Sequence, residues 1–133
     1  MLSERTEEIA RILVNSAYKV HKELGPGLLE RVYEVYLAHE ISKSGFQVKR
    51  QIDLRIVYDG ITFNECLRLD LLIEDTVIIE IKAVDQINPV WNAQIISHLK
   101  LTNNPVGFLI NFNVPIIKNG IKRFINTKNN IAP

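Results

Sequence analysis

The sequence predicts an α/β fold, with a mixed β-sheet flanked by two N-terminal helices and one crossover helix. Three observations carry this expectation. Apolar residues recur at helical spacing over two early stretches, and from Phe46 the period shifts towards two. A third helical stretch then separates two β-branched runs, which is the pattern of a crossover between parallel strands.

The first helix is expected from about Ser3 to Leu24. Ser3 is placed to cap it, Glu4, Glu7 and Glu8 favour its positive end, and Gly25 stops it. Ile9, Ile12, Leu13, Ala17, Val20 and Leu24 form its apolar stripe, and His21 reads as a surface or capping residue. After the Gly25-Pro26-Gly27 break, a second helix is expected from Leu28 to Ser44. Its stripe is Leu29, Val32, Tyr33, Tyr36 and Leu37, and Gly45 ends it. Glu30 sits in its first turn, where a carboxylate is stabilised by the helix dipole without any further role.

Strand signals begin at Phe46 and run to Tyr58. Asp59-Gly60 is a two-residue hairpin signal that returns through Ile61-Thr62-Phe63, with a separate segment from Glu65 to Ile73. Asn88 and Pro89 read as the cap and first residue of the crossover helix, which reaches about Thr102 and carries Trp91, Gln94 and His98. Val106 to Phe112 reads as an interior strand. Pro115 breaks the pattern, Asn119-Gly120 is a turn, and Ile121 to Ile125 is a short basic edge strand. Asn126 to Pro133 reads as a frayed tail.

The chain is organised around Leu69 to Val84, where two apolar runs flank a short polar turn. The second run is nearly all β-branched and should be buried, yet it carries Glu80 and Lys82 on one face. Burying charge costs several kcal/mol per ion (order of magnitude) unless it is paired, hydrogen-bonded or metal-bound. Opposed residues of an antiparallel hairpin share a face, so a turn of odd length centred on Asp75 sets Asp70 opposite Glu80. That odd turn is the expectation here. Asp70 and Glu80 then offer hard oxygen ligands for Mg²⁺ or Mn²⁺ with the Lys82 ammonium beside them, a set suited to phosphoester hydrolysis. A buried Glu80–Lys82 ion pair, with Asp70 in solvent, is the structural alternative.

Composition bounds these readings. The 133 residues are read as one domain, 1–133, long enough for a real core. A single cysteine, Cys66, excludes an internal disulfide and a multi-cysteine zinc site, and a free thiol fits a reducing compartment. No apolar run approaches the ~18 residues of a membrane span, and the acidic N-terminus is unlike a secretory signal. The expectation is a cytoplasmic protein without a membrane partner. Charge is unevenly spread: residues 1–85 hold 11 Lys/Arg against 15 Asp/Glu, whereas residues 86–133 hold five cations and no acid. Lys118, Lys122 and Arg123 in that acid-free third are candidate phosphate contacts, with a solvated face as the bland alternative.

Gly27-Leu28-Leu29-Glu30-Arg31-Val32-Tyr33 matches the pattern Gly-x-x-Glu-x-x-Tyr. The match continues through Arg68-Leu69-Asp70, Val77 to Ala83, Ala93-Gln94, Gly107 to Phe112 and Gly120 to Arg123. Over about residues 5–125 the chain resembles the GxxExxY proteins, a branch of the PD-(D/E)XK nuclease-like superfamily. The resemblance implies a restriction-endonuclease-like core and a Mg²⁺- or Mn²⁺-dependent nuclease. In it Asp70, Glu80, Glu30 and the Ile81 carbonyl would be metal ligands, and Lys82 would orient water or stabilise charge. Gln94 resembles the glutamine of a Gln-x-x-x-Tyr motif and joins Glu30, Asp70, Glu80 and Lys82 as a catalytic candidate, but here His98 stands in the tyrosine's place. The implied partner is nucleic acid, DNA in the first instance. Similarity in size and in the early-helix carboxylate to Holliday-junction resolvases, which act as symmetric dimers, implies a homodimer. The rival expectation is a non-catalytic nucleic-acid- or protein-binding module on the same scaffold.

Overall fold

The computed structural model describes residues 2–127. Helices α1 (Glu4–Leu24) and α2 (Glu30–Ser42) precede strands β1 (Val48–Tyr58), β2 (Ile61–Ile73) and β3 (Val77–Lys82). Helix α3 (Val90–Thr102) then leads to β4 (Val106–Asn111), a 3₁₀ turn (Ile117–Gly120) and β5 (Ile121–Ile125). Among the described residues five strands form one sheet in the order β1-β2-β3-β4-β5. Only β3 and β4 pair in parallel, and α3 is their crossover. This is the expected α/β architecture, a mixed sheet flanked by helices in a restriction-endonuclease-like arrangement.

Strand alternation divides the core between the two faces. Val77, Ile79 and Ile81 of β3 join Phe108 and Ile110 of β4 beneath Ile9, Leu13, Ala17, Leu37 and Ile41 of α1 and α2. The other face is narrower, with Leu72, Ile78 and Leu99 at its centre. All six residues of β4 are buried, as an interior parallel strand covered on both sides requires. Among the described residues no helix is long and apolar enough to cross a membrane.

The helix boundaries follow the chemistry of the caps. Ser3 Oγ accepts the Thr6 N–H at 3.1 Å, and Gly25, at φ +70°, donates its N–H to His21 O. Asn88 Oδ1 accepts the Val90 N–H at 3.0 Å, although the helix begins at Val90 and Pro89, expected as its first residue, takes the cap position.

Several expectations need correction. Helix α2 starts at Glu30 rather than Leu28 and ends at Ser42, and its buried side is Tyr33, Glu34, Leu37, Ala38 and Ile41. Leu29 and Tyr36, both assigned to the stripe, are 77% and 50% exposed. The cause is Tyr33, which sets the rotation of the helix. Its hydroxyl donates to Gly25 O at 2.6 Å and accepts the Leu28 N–H at 3.1 Å, while its ring stacks on Phe112.

The segments Ile61–Phe63 and Glu65–Ile73 are one continuous strand. A backbone ladder needs no apolar alternation, and the Asp59-Gly60 turn, both residues at positive φ, starts it directly. His21 is buried rather than superficial, its Nε2–H donating to Val114 O at 2.8 Å and tying α1 to the segment after β4. Asn119 and Gly120 close a 3₁₀ turn. Asn126 is 2% exposed and donates to Leu99 O and Asn104 O, so the chain is anchored there and not frayed. The rest of the expected tail, from residue 128 onward, lies outside the described residues.

Candidate functional site

The site grows from the end of the β2–β3 ladder. Ile73 pairs with Val77 and Leu71 with Ile79, so the turn is Glu74-Asp75-Thr76 and has the expected odd length. Glu74 and Asp75 both adopt left-handed backbone, at φ 50° and 52°. One further step would set Asp70 against Glu80, but backbone pairing stops at Leu71–Ile79. There the Asp70 side chain takes over from the backbone, its Oδ2 accepting the Ile81 N–H at 2.8 Å. Its carboxylate is thereby turned aside from the face that carries Glu80 and Lys82, so the three charges do not line up on one face as the alternation predicts.

Asp70 opens instead onto a cleft of about 400 Å³ lined by Glu30, Arg31, Glu34, Arg50, Gln51, Asp70 and Ile81. Glu34, 5% exposed, receives the Nε and Nη2 of Arg50 at 3.2 and 3.1 Å. Gln51 Nε2 donates to Glu34 Oε1 and lies 3.3 Å from Asp70 Oδ1. Gln51 stands at φ +49° within β1, a conformation that is rare for a residue with a side chain. The neighbouring pairs Arg50–Leu71 and Ile52–Leu69 flank a step where Gln51 and Asp70 are unpaired. The local backbone irregularity therefore aims the Gln51 amide at both carboxylates.

Glu34, Arg50 and Gln51 were missed by sequence reasoning. One signal was available for Glu34: it follows Glu30 by four residues, so the two carboxylates share one side of α2.

Glu80 and Lys82 lie beneath α3, with Asp70 close enough for its charge to act on Glu80. Glu80 Oε1 is buried without a hydrogen-bond partner, and the similarly unpartnered Nδ1 of His98 lies 3.8 Å away. Burial pushes the Glu80 carboxyl above its ordinary range and the nearby Asp70 charge adds to the rise, while His98 and Lys82 oppose it. Lys82 Nζ sits 4.4 Å from the centre of the Trp91 ring. Among the described residues Glu80 and Lys82 form no ion pair within 4 Å, so the structural alternative of a Glu80–Lys82 bridge is not what occupies this face.

A family model for the PD-(D/E)XK nuclease superfamily matches residues 7–124. The chain belongs to the PD-(D/E)XK nuclease superfamily. Comparison with curated proteins and with solved structures finds no match.

Against that membership the placement of the residues that the sequence resemblance singles out is mixed. Glu30, Asp70 and Ile81 share the cleft, Glu80 and Lys82 lie under α3, and Gln94 is on the exposed side of α3. Among the described residues no group of three or more His, Cys, Asp or Glu is arranged to hold a metal ion. The donor chemistry nevertheless fits a hard divalent cation. Glu80 carries an orphaned buried oxygen, Asp70 is electrostatically coupled to it, and Mg²⁺ commonly uses one or two carboxylates with water for the remainder.

The three basic candidates do not form one patch. Arg123 pairs with Glu7 on the α1 side of β5, and Lys122 points to the α3 side, over Phe124. Lys118 borders a groove between α1 and the 3₁₀ turn.

Proposed function

We propose that this protein is a metal-dependent nuclease that hydrolyses phosphodiester bonds of DNA or RNA. One observation carries the reading: the chain buries one oxygen of the Glu80 carboxylate, Oε1, without a hydrogen-bond partner, with the Asp70 charge close enough to disfavour its ionisation. A core gains nothing from such a group, whereas a cation relieves both burial and repulsion. Superfamily membership supports the same reading, and the Gly27, Glu30 and Tyr33 spacing supports the GxxExxY branch, with residues 1–133 as one nuclease-like domain.

In this proposal Asp70 and Glu80, with the Ile81 carbonyl and Glu30 from the cleft, would hold Mg²⁺ or Mn²⁺, which would supply positive charge at the scissile phosphate and favour ionisation of the attacking water. Lys82, held close to Glu80, orients that water or stabilises the developing charge, as a donor fixed in a low-dielectric site can. Glu34, Arg50 and Gln51 keep Asp70 in place. Gln94, exposed on α3, and the cations Lys118, Lys122 and Arg123 contact the nucleic acid outside the reacting centre. The protein acts as a homodimer.

A second reading is favoured by the lack of a three-ligand cluster among the described residues. It makes the protein a non-catalytic nucleic-acid- or protein-binding module. The deciding experiment is cleavage of labelled single strand, duplex, flap, four-way junction and RNA with Mg²⁺, Mn²⁺ or EDTA. A folded Glu80→Ala protein is run beside the wild type. Cutting that needs the metal and is lost in the variant is the expected result. No cutting, with no calorimetric metal binding, leaves the binding module.

A further inference from the structure

Both charged residues of the Glu-x-Lys pair meet a residue of α3. His98 Nδ1 lies 3.8 Å from Glu80 Oε1, with both atoms sealed from solvent, and the Trp91 ring lies 4.4 Å from Lys82 Nζ. Trp91 and His98 are seven residues apart, two helical turns, so they project from one side of α3. Chain direction reverses between β3 and α3, which is why the order is inverted: the later helix residue meets the earlier strand residue.

Between them the contact is apolar. Ile95 and Leu99 lie so close over Gly107 that a Cβ there would meet the Ile95 Cδ1 at 3.0 Å. An entirely apolar helix side would cover the sheet more cheaply than one burying an unpartnered imidazole nitrogen. The gap to Glu80 closes to a charge-assisted hydrogen bond of ~2.8 Å with a shift of only about 1 Å.

We propose that α3 is the positioning element of this site, with His98 donating from Nδ1 to orient the Glu80 carboxylate and Trp91 holding the Lys82 ammonium. The inference rests on the metal-dependent nuclease reading above. Neither residue is catalytic, since each acts through a β3 side chain.

The test is Mn²⁺ affinity, measured by calorimetry and by paramagnetic resonance of free Mn²⁺. The proteins compared are the wild type, His98→Leu, His98→Asn, Glu80→Gln and the Glu80→Gln/His98→Leu double variant. Loss of a group that orients a metal ligand typically costs 10–100-fold in affinity, and His98→Leu is expected in that range. His98→Asn, which keeps an N–H donor near the Nδ1 position, restores most of it. In the Glu80→Gln background His98→Leu has no further effect. Should His98→Leu fail to fold, His98→Phe, closer in ring volume, reads the same quantity.

Trp91 is the only tryptophan in the chain, so its emission reports its own surroundings. Lys82→Met shifts that emission if the ammonium sits on the ring, and unaltered emission overturns the Trp91 part. Wild-type affinity in His98→Leu, or an equal loss in the Glu80→Gln background, overturns the His98 part alone. A wild-type protein that takes up no Mn²⁺ overturns the nuclease reading and this inference with it.

Discussion

Glu80 shows at the scale of one residue how burial becomes a pH dependence. Its folded carboxyl binds a proton more tightly than the unfolded one, chiefly through burial. The folded state therefore holds more protons than the unfolded state from about pH 4.5, the ordinary carboxyl value, upward through the raised folded value. Stability attributable to this group is full below that window and is lost as pH rises through it. Glu80→Gln is expected to flatten that decline and to raise the melting temperature at pH 7 in EDTA, read by calorimetric scans between pH 4 and 8. An unchanged pH profile would show that Glu80 is not a buried acid.

Tyr33 is the second residue-scale case. Tyr33→Phe keeps the Phe112 stack but removes bonds to Gly25 O and Leu28 N. A loss of about 1–3 kcal/mol is expected in urea unfolding, from two hydrogen bonds worth about 0.5–1.5 kcal/mol each, since Gly25 is half-buried and Leu28 exposed. The tyrosine of the Gly-x-x-Glu-x-x-Tyr pattern thus fixes the loop that delivers Glu30, and its own position in the structure is architectural.

At the scale of elements, the site exists because two regular structures stop early. The β2–β3 ladder ends at Leu71–Ile79, which frees Asp70 to accept from Ile81, and the β1–β2 pairing skips Gln51. The far end of the sheet is secured by contacts that local patterns do not announce. Asn126 links the end of β5 to the C-terminal end of α3 and the loop behind it, through Leu99 O and Asn104 O. Asn126→Ala should destabilise by about 1–3 kcal/mol, measured as a lower urea midpoint with an unchanged slope. Gly120 meets a different constraint. A Cβ there would drive into the Asn111 carbonyl, so Gly120→Ala forces the backbone apart where the 3₁₀ turn enters β5. A cost of about 1–3 kcal/mol is expected by the same measurement, and a neutral result would mean this approach is not maintained in solution.

Across the whole molecule, charge is segregated by sequence but redistributed by folding. The acid-free stretch from residue 86 onward suggests a basic face, yet β5 sends Lys122 to the α3 side and Arg123 to Glu7 on α1. A cation already paired with a carboxylate has less to offer a phosphate. On the nucleic-acid reading, Lys122→Ala should reduce the slope of log affinity against log salt by about 0.9 for duplex DNA. Arg123→Ala should reduce it less. Anisotropy titrations in EDTA at several salt concentrations check this, and a wild-type slope in Lys122→Ala would remove Lys122 from the interface.

The sequence by itself determined the succession of helical and extended regions, the crossover, the odd-length turn centred on Asp75 and the identity of the acidic and basic groups around Asp70, Glu80 and Lys82, though it divided β2 in two. Those are legible because period, caps and turn length act over a few residues, where local sterics and hydrogen bonding dominate. Only the tertiary structure decided which way the groups point. Alternation predicts one face for Asp70, Glu80 and Lys82, but the end of the ladder turns Asp70 towards Glu34 and Gln51, leaving Glu80 under His98. Likewise Leu29 and Tyr36 fit a helical stripe, and it was the Tyr33 contacts with Gly25 and Phe112 that rotated α2 and brought Glu34 inward. These outcomes depend on partners distant in the chain, whose competing contacts are weighed only when the sheet and its helices come together.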